Sequence, residues 1–78
     1  MTPQTAPPPP DLEALPADAM LDAEAVAAVL ACSVRHVHRM AAAARLPTPL
    51  RIGQLARWRV GTLRAWLRRA AEVADASD

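Results

Sequence analysis

The apolar residues in the first half of the chain recur at helical spacing, each stretch preceded by a short polar residue. In the first stretch Val26, Val29 and Leu30 fall on one stripe, Asp22 before them is a good N-cap, and Glu24 suits the positive end of a helix dipole. The sequence therefore predicts a first helix over about residues 23–31.

A second helix is predicted over about residues 34–44. Ser33 offers an N-cap, and the apolar positions after it are three and four apart, which marks one buried face: Val34, Val37, Met40, Ala41 and Ala44. The link between the two helices is only about three residues long, which favours a steep crossing. This is the spacing of a helix-turn-helix, in which the outward face of the second helix would carry Arg35, His36 and Arg39, with His38 at its margin. An ordinary helical hairpin with solvated arginines has the same pattern.

Two short strands are predicted next, because Pro47 and Pro49 stop the helix and apolar and basic residues then alternate. The strands cover residues 50–52 and 57–60, and residues 53–56 supply the turn. We expect the hairpin to direct one set of side chains to the core, Leu50, Ile52, Trp58 and Val60, and another set outward, Arg51, Arg57 and Arg59.

A third helix over about residues 62–74 repeats the apolar spacing and would close the core. Its apolar positions are Leu63, Trp66, Leu67, Ala70 and Val73, and its outer face would carry Arg64, Arg68 and Arg69. The predicted fold class is mainly α with a small β-hairpin: a winged helix-turn-helix made of three helices and a wing.

Composition divides the chain of 78 residues into three parts. Residues 1–19 are rich in proline and acidic, which predicts a disordered arm that contributes nothing to the packed core. Residues 20–74 form the predicted folded domain, and residues 75–78 form an acidic tail. Such a small domain is marginally stable alone, so oligomerisation or a bound polyanion would add to its stability.

The charges are segregated along the chain. All nine arginines lie between Arg35 and Arg69, and no aspartate or glutamate occurs from Ala31 to Arg69. The eight carboxylates lie outside this span, so a formal net charge of +1 conceals a middle block of +9. A solvated face normally mixes both signs, whereas charge of one sign favours a polyanionic partner. The block therefore predicts a nucleic-acid-binding segment.

The run "MLDAEAVAAVLACSVRHVHRM…RLPTPLRIGQLARWRVGTLRAWL", residues 20–67, resembles the small winged helix-turn-helix proteins of the excisionase and AlpA type, which are related to the DNA-binding domain of MerR regulators. The most specific parts are "SVRHVHRM", "LPTPLRIG" and "RWRVGTLRAWL", which occur in the family's order. The resemblance covers the whole predicted domain and leaves only the two tails outside it.

The resemblance implies which residues would meet double-stranded DNA. The second helix would read the major groove through a recognition set: Ser33, Arg35, His36, His38 and Arg39. The hairpin and its surroundings would contact the DNA backbone or the minor groove through a wing set: Arg45, Arg51, Gln54, Arg57 and Arg59. Arg64 is a further candidate for a phosphate contact.

Two positions depart from the family's pattern. Ala31 stands where the family usually has glycine in the turn between the helices, which implies a different turn geometry. Leu55 stands where a basic wing residue is common. Leu55 could contact a neighbouring copy of the protein, since excisionase-like proteins often assemble side by side on DNA, or it could fold under the hairpin.

Three functions are compatible with these features. The first is an excisionase, or recombination directionality factor, which binds repeated sites, bends DNA and directs an integrase toward excision. The second is an AlpA-like transcriptional regulator that uses the same fold at a promoter. The third is a protein-interaction module in which the proline-rich arm is the working part. The nine arginines favour the first two, which the sequence does not separate.

No set of residues indicates catalysis, a cofactor or a metal. The basic block has no glycine-rich phosphate loop and no acid pair, and Cys32, His36 and His38 fit no zinc pattern. We expect a non-enzymatic protein without cofactor, metal or small-molecule ligand. A single cysteine and the absence of a signal peptide or an apolar run of membrane-spanning length predict a cytoplasmic, nucleoid-associated protein with no membrane partner.

Overall fold

Three helices and a small antiparallel sheet make up the fold. The computed structural model describes residues 9–76, with side chains as far as residue 74. Along the chain the elements are β1 (Met20–Leu21), α1 (Ala23–Leu30), α2 (Val34–Ala42), β2 (Leu50–Ile52), β3 (Leu55–Arg59) and α3 (Val60–Ala76). The strands lie in the order β1-β3-β2, so β3 is central. The predicted helices and hairpin are confirmed, and β1 is an additional strand.

Both predicted N-caps are confirmed. The Asp22 carboxylate accepts a hydrogen bond from the Ala25 backbone N–H at 2.8 Å, and the Ser33 hydroxyl accepts one from the His36 N–H at 3.0 Å. Between them, Ala31 ends α1 in the left-handed region at φ 56° and ψ 45°. The Cys32 N–H then donates to the Ala27 carbonyl at 3.0 Å, which is the bond of a Schellman turn. This turn sets the angle between α1 and α2.

The core lies between the helices and one face of the sheet. Its five fully buried large side chains come from four different elements: Val26, Val37, Trp58, Val60 and Leu63. Trp58 also fixes the loop that follows α2, because its indole Nε1 donates a hydrogen bond to the Pro47 carbonyl at 2.8 Å. The core therefore holds α2 and the hairpin in a defined relation.

The expected orientation of β2 was wrong. Leu50 pairs with Arg57 and Ile52 pairs with Leu55, and residues that face each other across antiparallel strands share a face of the sheet. Leu50 and Ile52 consequently lie on the outer face, 45% and 50% exposed. The turn is also shorter than expected, because β3 begins at residue 55 and only residues 53 and 54 join the strands. Gly53 has the positive φ, +62°, that two-residue hairpins need at their first position.

The second half of the expected arm packs on the domain, contrary to the expectation that it contributes nothing to the core. Leu12 is 9% exposed and belongs to the core cluster. The Arg64 guanidinium donates hydrogen bonds to the carbonyls of Leu12 and Leu15. The backbone N–H groups of Val60 and Gly61 donate to the carbonyls of Ala19 and Ala17 at 2.9 and 3.0 Å. Residues 1–8 of the arm lie outside the described residues.

The third helix is longer than predicted at both ends. It begins at Val60 directly after β3 and continues to Ala76, so the first part of the predicted acidic tail is helical. Residues 77 and 78 of that tail lie outside the described residues. Within residues 9–76, no helix is long and apolar enough to cross a membrane.

Candidate nucleic-acid interface

The outward face of α2 carries a row of basic side chains. Val37 is fully buried, and at about 100° per residue the positions farthest from it around the helix are those of Arg35 and Arg39. His36 and His38 lie toward the two edges of the same face. All four side chains are exposed. This is the arrangement expected for residues that meet a partner surface while the opposite side of the helix packs in the core.

One shallow groove joins part of this row to the segment after α2. It is lined by His36, Arg39, Met40, Ala43 and Arg45. Arg45 reaches it because the chain turns back at Ala44, which has φ 60°, and the Arg45 N–H then donates to the Met40 carbonyl at 2.8 Å. The structure thus brings together three of the predicted DNA-contacting residues from two of the predicted sets.

Ser33 stands at the start of the same helix. Its hydroxyl oxygen accepts the N-capping hydrogen bond from His36, and its side chain is exposed. The hydroxyl proton is not used by that bond, because the oxygen acts as the acceptor. Ser33 can therefore serve as the cap and still donate a hydrogen bond to an anionic oxygen in front of the helix.

The nine arginines differ in whether they form ion pairs. Three ion pairs form among the described residues: Arg59–Asp18 at 2.7 Å, Arg68–Glu13 at 3.5 Å and Arg64–Glu13 at 3.8 Å. Both carboxylates, Asp18 and Glu13, come from the arm. Six arginines have no ion-pair partner in this part of the chain: Arg35, Arg39, Arg45, Arg51, Arg57 and Arg69. Both arginines of α2 belong to this unpaired group.

The predicted wing residues are exposed or half-buried but do not share one face. Arg57 and Arg59 alternate with buried Trp58 and therefore lie on the outer face of the sheet. Arg51 pairs with Ala56, which places it on the opposite face, and it remains exposed because β2 is an edge strand. Gln54 is exposed in the turn. The expectation that Arg51, Arg57 and Arg59 point the same way was therefore wrong.

The outer face of the sheet is also apolar. Four of the large apolar side chains that stay exposed lie on it, since each pairs with, or is two residues from, an outer-face residue: Met20, Leu50, Ile52 and Leu55. Leu55 is 50% exposed and is not folded under the hairpin. Arginine side chains stand among these residues, so the face combines apolar surface with positive charge.

Arg64 is not available as a phosphate contact. Its guanidinium donates to two arm carbonyls, and its side chain is only 21% exposed. Arg64 therefore serves to hold the arm on α3.

A cleft that is lined in part by Arg59 was not predicted from the sequence. It runs between the start of α3 and the loop after α2 and is lined by Pro47, Arg59, Gly61, Thr62, Ala65, Trp66 and Arg69. The sequence did show that Trp66 and Arg69, three residues apart, share a face of α3. It did not show that Pro47 forms the opposite wall of the cleft. Asp18, the partner of Arg59, was missed as well, because it lies far from Arg59 in sequence.

Comparisons with known proteins add no assignment. No protein-family model matches the chain, and neither the curated proteins nor the solved structures give a match. Among the residues that the structure describes, no three histidine, cysteine, aspartate or glutamate side chains come together as metal ligands would.

Proposed function

We propose that this protein is a sequence-specific double-stranded DNA-binding protein with a winged helix-turn-helix fold. The observation that carries the proposal is the exposed face of α2, where Arg35 and Arg39 stand without any carboxylate partner among the described residues. An α-helix fits the major groove, and arginine can bind guanine O6 and N7 with two hydrogen bonds. The α1–α2 pair then acts as the helix-turn-helix and the β2–β3 hairpin as the wing.

Different arginines have different tasks in this proposal. Arg35 and Arg39 read base edges, with His36 and His38 at the margins of the contact. Arg45, Arg51, Arg57 and Arg59 meet phosphates, which positions the domain but carries no sequence information. Each neutralised phosphate releases condensed cations, so these four contacts would give a slope of log affinity against log salt of about −3.6.

The narrower proposal is an excisionase that loads several copies on repeated sites, bends the DNA and biases an integrase toward excision. One domain of this size buries too little surface for tight specific binding alone, which favours several copies per site. If an integrase gene lies beside the gene, an excision assay with that integrase tests this role, and bending is measured with circularly permuted duplexes. Binding to a promoter without an effect on excision would instead support the AlpA-like regulator.

The first prediction separates base readout from phosphate contact. Selection from a random duplex library supplies the preferred sequence, and binding is measured by fluorescence anisotropy on that duplex and on a scrambled one. Arg39→Ala should weaken binding to the preferred duplex by about 1–3 kcal/mol and to the scrambled duplex by less. Arg57→Ala is the matched control and should weaken both alike while reducing the salt slope by about one unit.

Two outcomes would contradict the proposal at different levels. Equal weakening of both duplexes by Arg39→Ala would remove Arg39 from base readout. Absence of any salt-dependent affinity for duplex DNA in the wild-type protein would exclude DNA binding and leave the protein-interaction module.

A further inference from the structure

One arginine of the proposed wing is already occupied by the chain itself. The Asp18 carboxylate lies 2.7 Å from the Arg59 guanidinium and accepts its hydrogen bond. Arg57, two residues earlier on the same face of the sheet, forms no ion pair among the described residues and donates only to the neighbouring Ala56 carbonyl. The two outer-face arginines of β3 therefore differ in what they offer a phosphate.

The backbone holds Asp18 in this position. The carbonyl before it, that of Ala17, accepts a hydrogen bond from the Gly61 N–H, and the carbonyl after it, that of Ala19, accepts one from the Val60 N–H. Asp18 thus lies between two backbone hydrogen bonds to the first turn of α3, directly beside the end of β3. The approach is close, since a Cβ on Gly61 would lie 3.1 Å from the Ala17 Cβ.

The rest of the arm segment is anchored as well. Leu12 is buried in the core, and Arg64 binds the carbonyls of Leu12 and Leu15. The Asp18–Arg59 pair is consequently part of a folded contact rather than a chance meeting of two long surface side chains. Its two side chains are nevertheless well exposed, 90% for Asp18 and 47% for Arg59, so a phosphate group can reach and displace the carboxylate.

We propose that Asp18 is a built-in competitor of DNA for Arg59. The carboxylate neutralises this arginine in the free protein, and a DNA phosphate must replace it before Arg59 contributes to binding. The inference rests on the proposed DNA-binding function and adds regulation of the same surface. Because a phosphate contact carries no sequence information, the competition lowers the affinity for every duplex by the same factor. It weakens specific and non-specific binding alike and leaves the contacts of the proposed recognition helix unchanged.

The expected size follows from the exposure of the pair. Exposed ion pairs are weak and screened by salt, so removing the competitor should tighten binding by about twofold to fivefold at low ionic strength, with a smaller gain as salt increases. Asp18→Asn keeps the size of the side chain and removes its charge. Glu24→Gln makes the same charge change on exposed Glu24 of α1, which forms no ion pair among the described residues, and so measures the long-range effect alone.

The test is a double-mutant cycle on a random-sequence duplex, read by fluorescence anisotropy with the full chain. Asp18→Asn should tighten binding by about twofold to fivefold, and Glu24→Gln should tighten it by a clearly smaller factor. In an Arg59→Gln background Asp18→Asn should have no more effect than Glu24→Gln. Thermal unfolding of each variant checks that the fold is unchanged, and the salt titration checks that the gain shrinks.

The possible failures are distinct. If wild type binds the duplex but Asp18→Asn behaves like Glu24→Gln, the competition is overturned and DNA binding stands. A gain from Asp18→Asn that persists in full without Arg59 also overturns it, because the carboxylate then acts at long range. If wild type shows no salt-dependent binding to any duplex, the proposed function fails and the competition fails with it.

Discussion

Ala31 adopts the left-handed helical conformation, which is unfavourable for residues with a Cβ other than asparagine and aspartate. At φ 56° and ψ 45° the Cβ of an L residue crowds the carbonyl oxygen, which glycine avoids. The turn between α1 and α2 still forms, because the Cys32 N–H bonds the Ala27 carbonyl and the Ser33 cap starts the next helix. Alanine therefore occupies a left-handed position that glycine usually fills, at a cost in energy.

Replacing Ala31 with glycine should stabilise the protein. Relief of the left-handed strain exceeds the entropy that glycine adds to the unfolded chain, so we expect a gain of about 0.5–1 kcal/mol in the free energy of unfolding. The measurement is urea denaturation followed by circular dichroism. Ala71→Gly, at an exposed position inside α3, is the matched control and should cost about 0.5–1 kcal/mol. A loss of stability in Ala31→Gly would show that Ala31 is not left-handed.

The described part of the arm, residues 9–19, acts as a structural element, although it contains neither a helix nor a strand. It supplies a buried leucine to the core, carbonyl acceptors to the first turn of α3, and carboxylates to three arginines. The first N–H groups of a helix lack partners within the helix, so the carbonyls of Ala17 and Ala19 serve as its cap. The segment thereby fixes where α3 starts, immediately after β3.

Truncating the leucine that the arm buries should lower stability. Leu12→Ala removes a side chain that is 9% exposed and leaves a cavity at the edge of the core, which we expect to cost about 2 kcal/mol. Leu55→Ala is the control: it removes the same atoms from a side chain that is 50% exposed, and its cost should stay within about 0.5 kcal/mol. Equal costs in urea denaturation would mean that residues near Leu12 do not pack on the core.

An element could be predicted from the sequence where the contacts that form it lie between residues close together in the chain. The starts of α1 and α2 were predictable because each cap bonds a backbone N–H three residues away. Strand β1 was not predictable, since two residues give no period and Leu21 pairs with Trp58 from the far end of the chain. The packing of the arm was not predicted because its proline content indicated disorder. Leu12 and Leu15 contact Arg64 of α3, which is also far from them in the sequence. The predicted orientation of β2 was wrong because the register of the hairpin is set by its two-residue turn, which the sequence pattern had placed over four residues.

The residues of the candidate site were likewise predictable where helical spacing decides their exposure, and not where a distant segment pairs with them. The exposed face of α2 was predictable from helical spacing alone, because burial of Val37 fixes the direction of Arg35 and Arg39. The neutralisation of Arg59 was not, since it needs Asp18 to be carried to the end of β3 by backbone hydrogen bonds. Spacing within one element shows which side chains share a face; pairing between distant segments decides which of them are free.

At the scale of the whole molecule the arginines form two groups. Residues of the arm pair with Arg59, Arg64 and Arg68, whereas the other six arginines have no ion-pair partner among the described residues. Although the net charge is only +1, four of these six arginines lie on α2, the loop after it and β2. In the proposed DNA-binding function, this local positive charge would speed the encounter with DNA, and the contribution would fall steeply with ionic strength.

The apolar outer face of the sheet bears on how many molecules act together. Phosphates gain nothing from leucine or isoleucine side chains, so Leu50, Ile52 and Leu55 have no use in the contact with a DNA backbone. In the proposed excisionase, several copies occupy adjacent sites, and an apolar wing can contact the neighbouring copy. The association would be weak in free solution, because one small patch buries little surface, and would become effective when DNA holds the copies side by side.

The last prediction tests this assembly. Leu55→Ser should leave binding unchanged on a short duplex that holds one copy, because no proposed DNA contact is removed. On a duplex long enough for several copies it should reduce the cooperativity of loading, since the apolar contact between neighbours is lost. Sedimentation velocity on the two duplexes measures both quantities. Val73→Ser makes a comparable change at an exposed position on α3, 63% exposed, and should affect neither. Unchanged cooperativity in Leu55→Ser would remove the wing from the contact between copies, and non-cooperative loading of wild type would contradict the side-by-side arrangement itself.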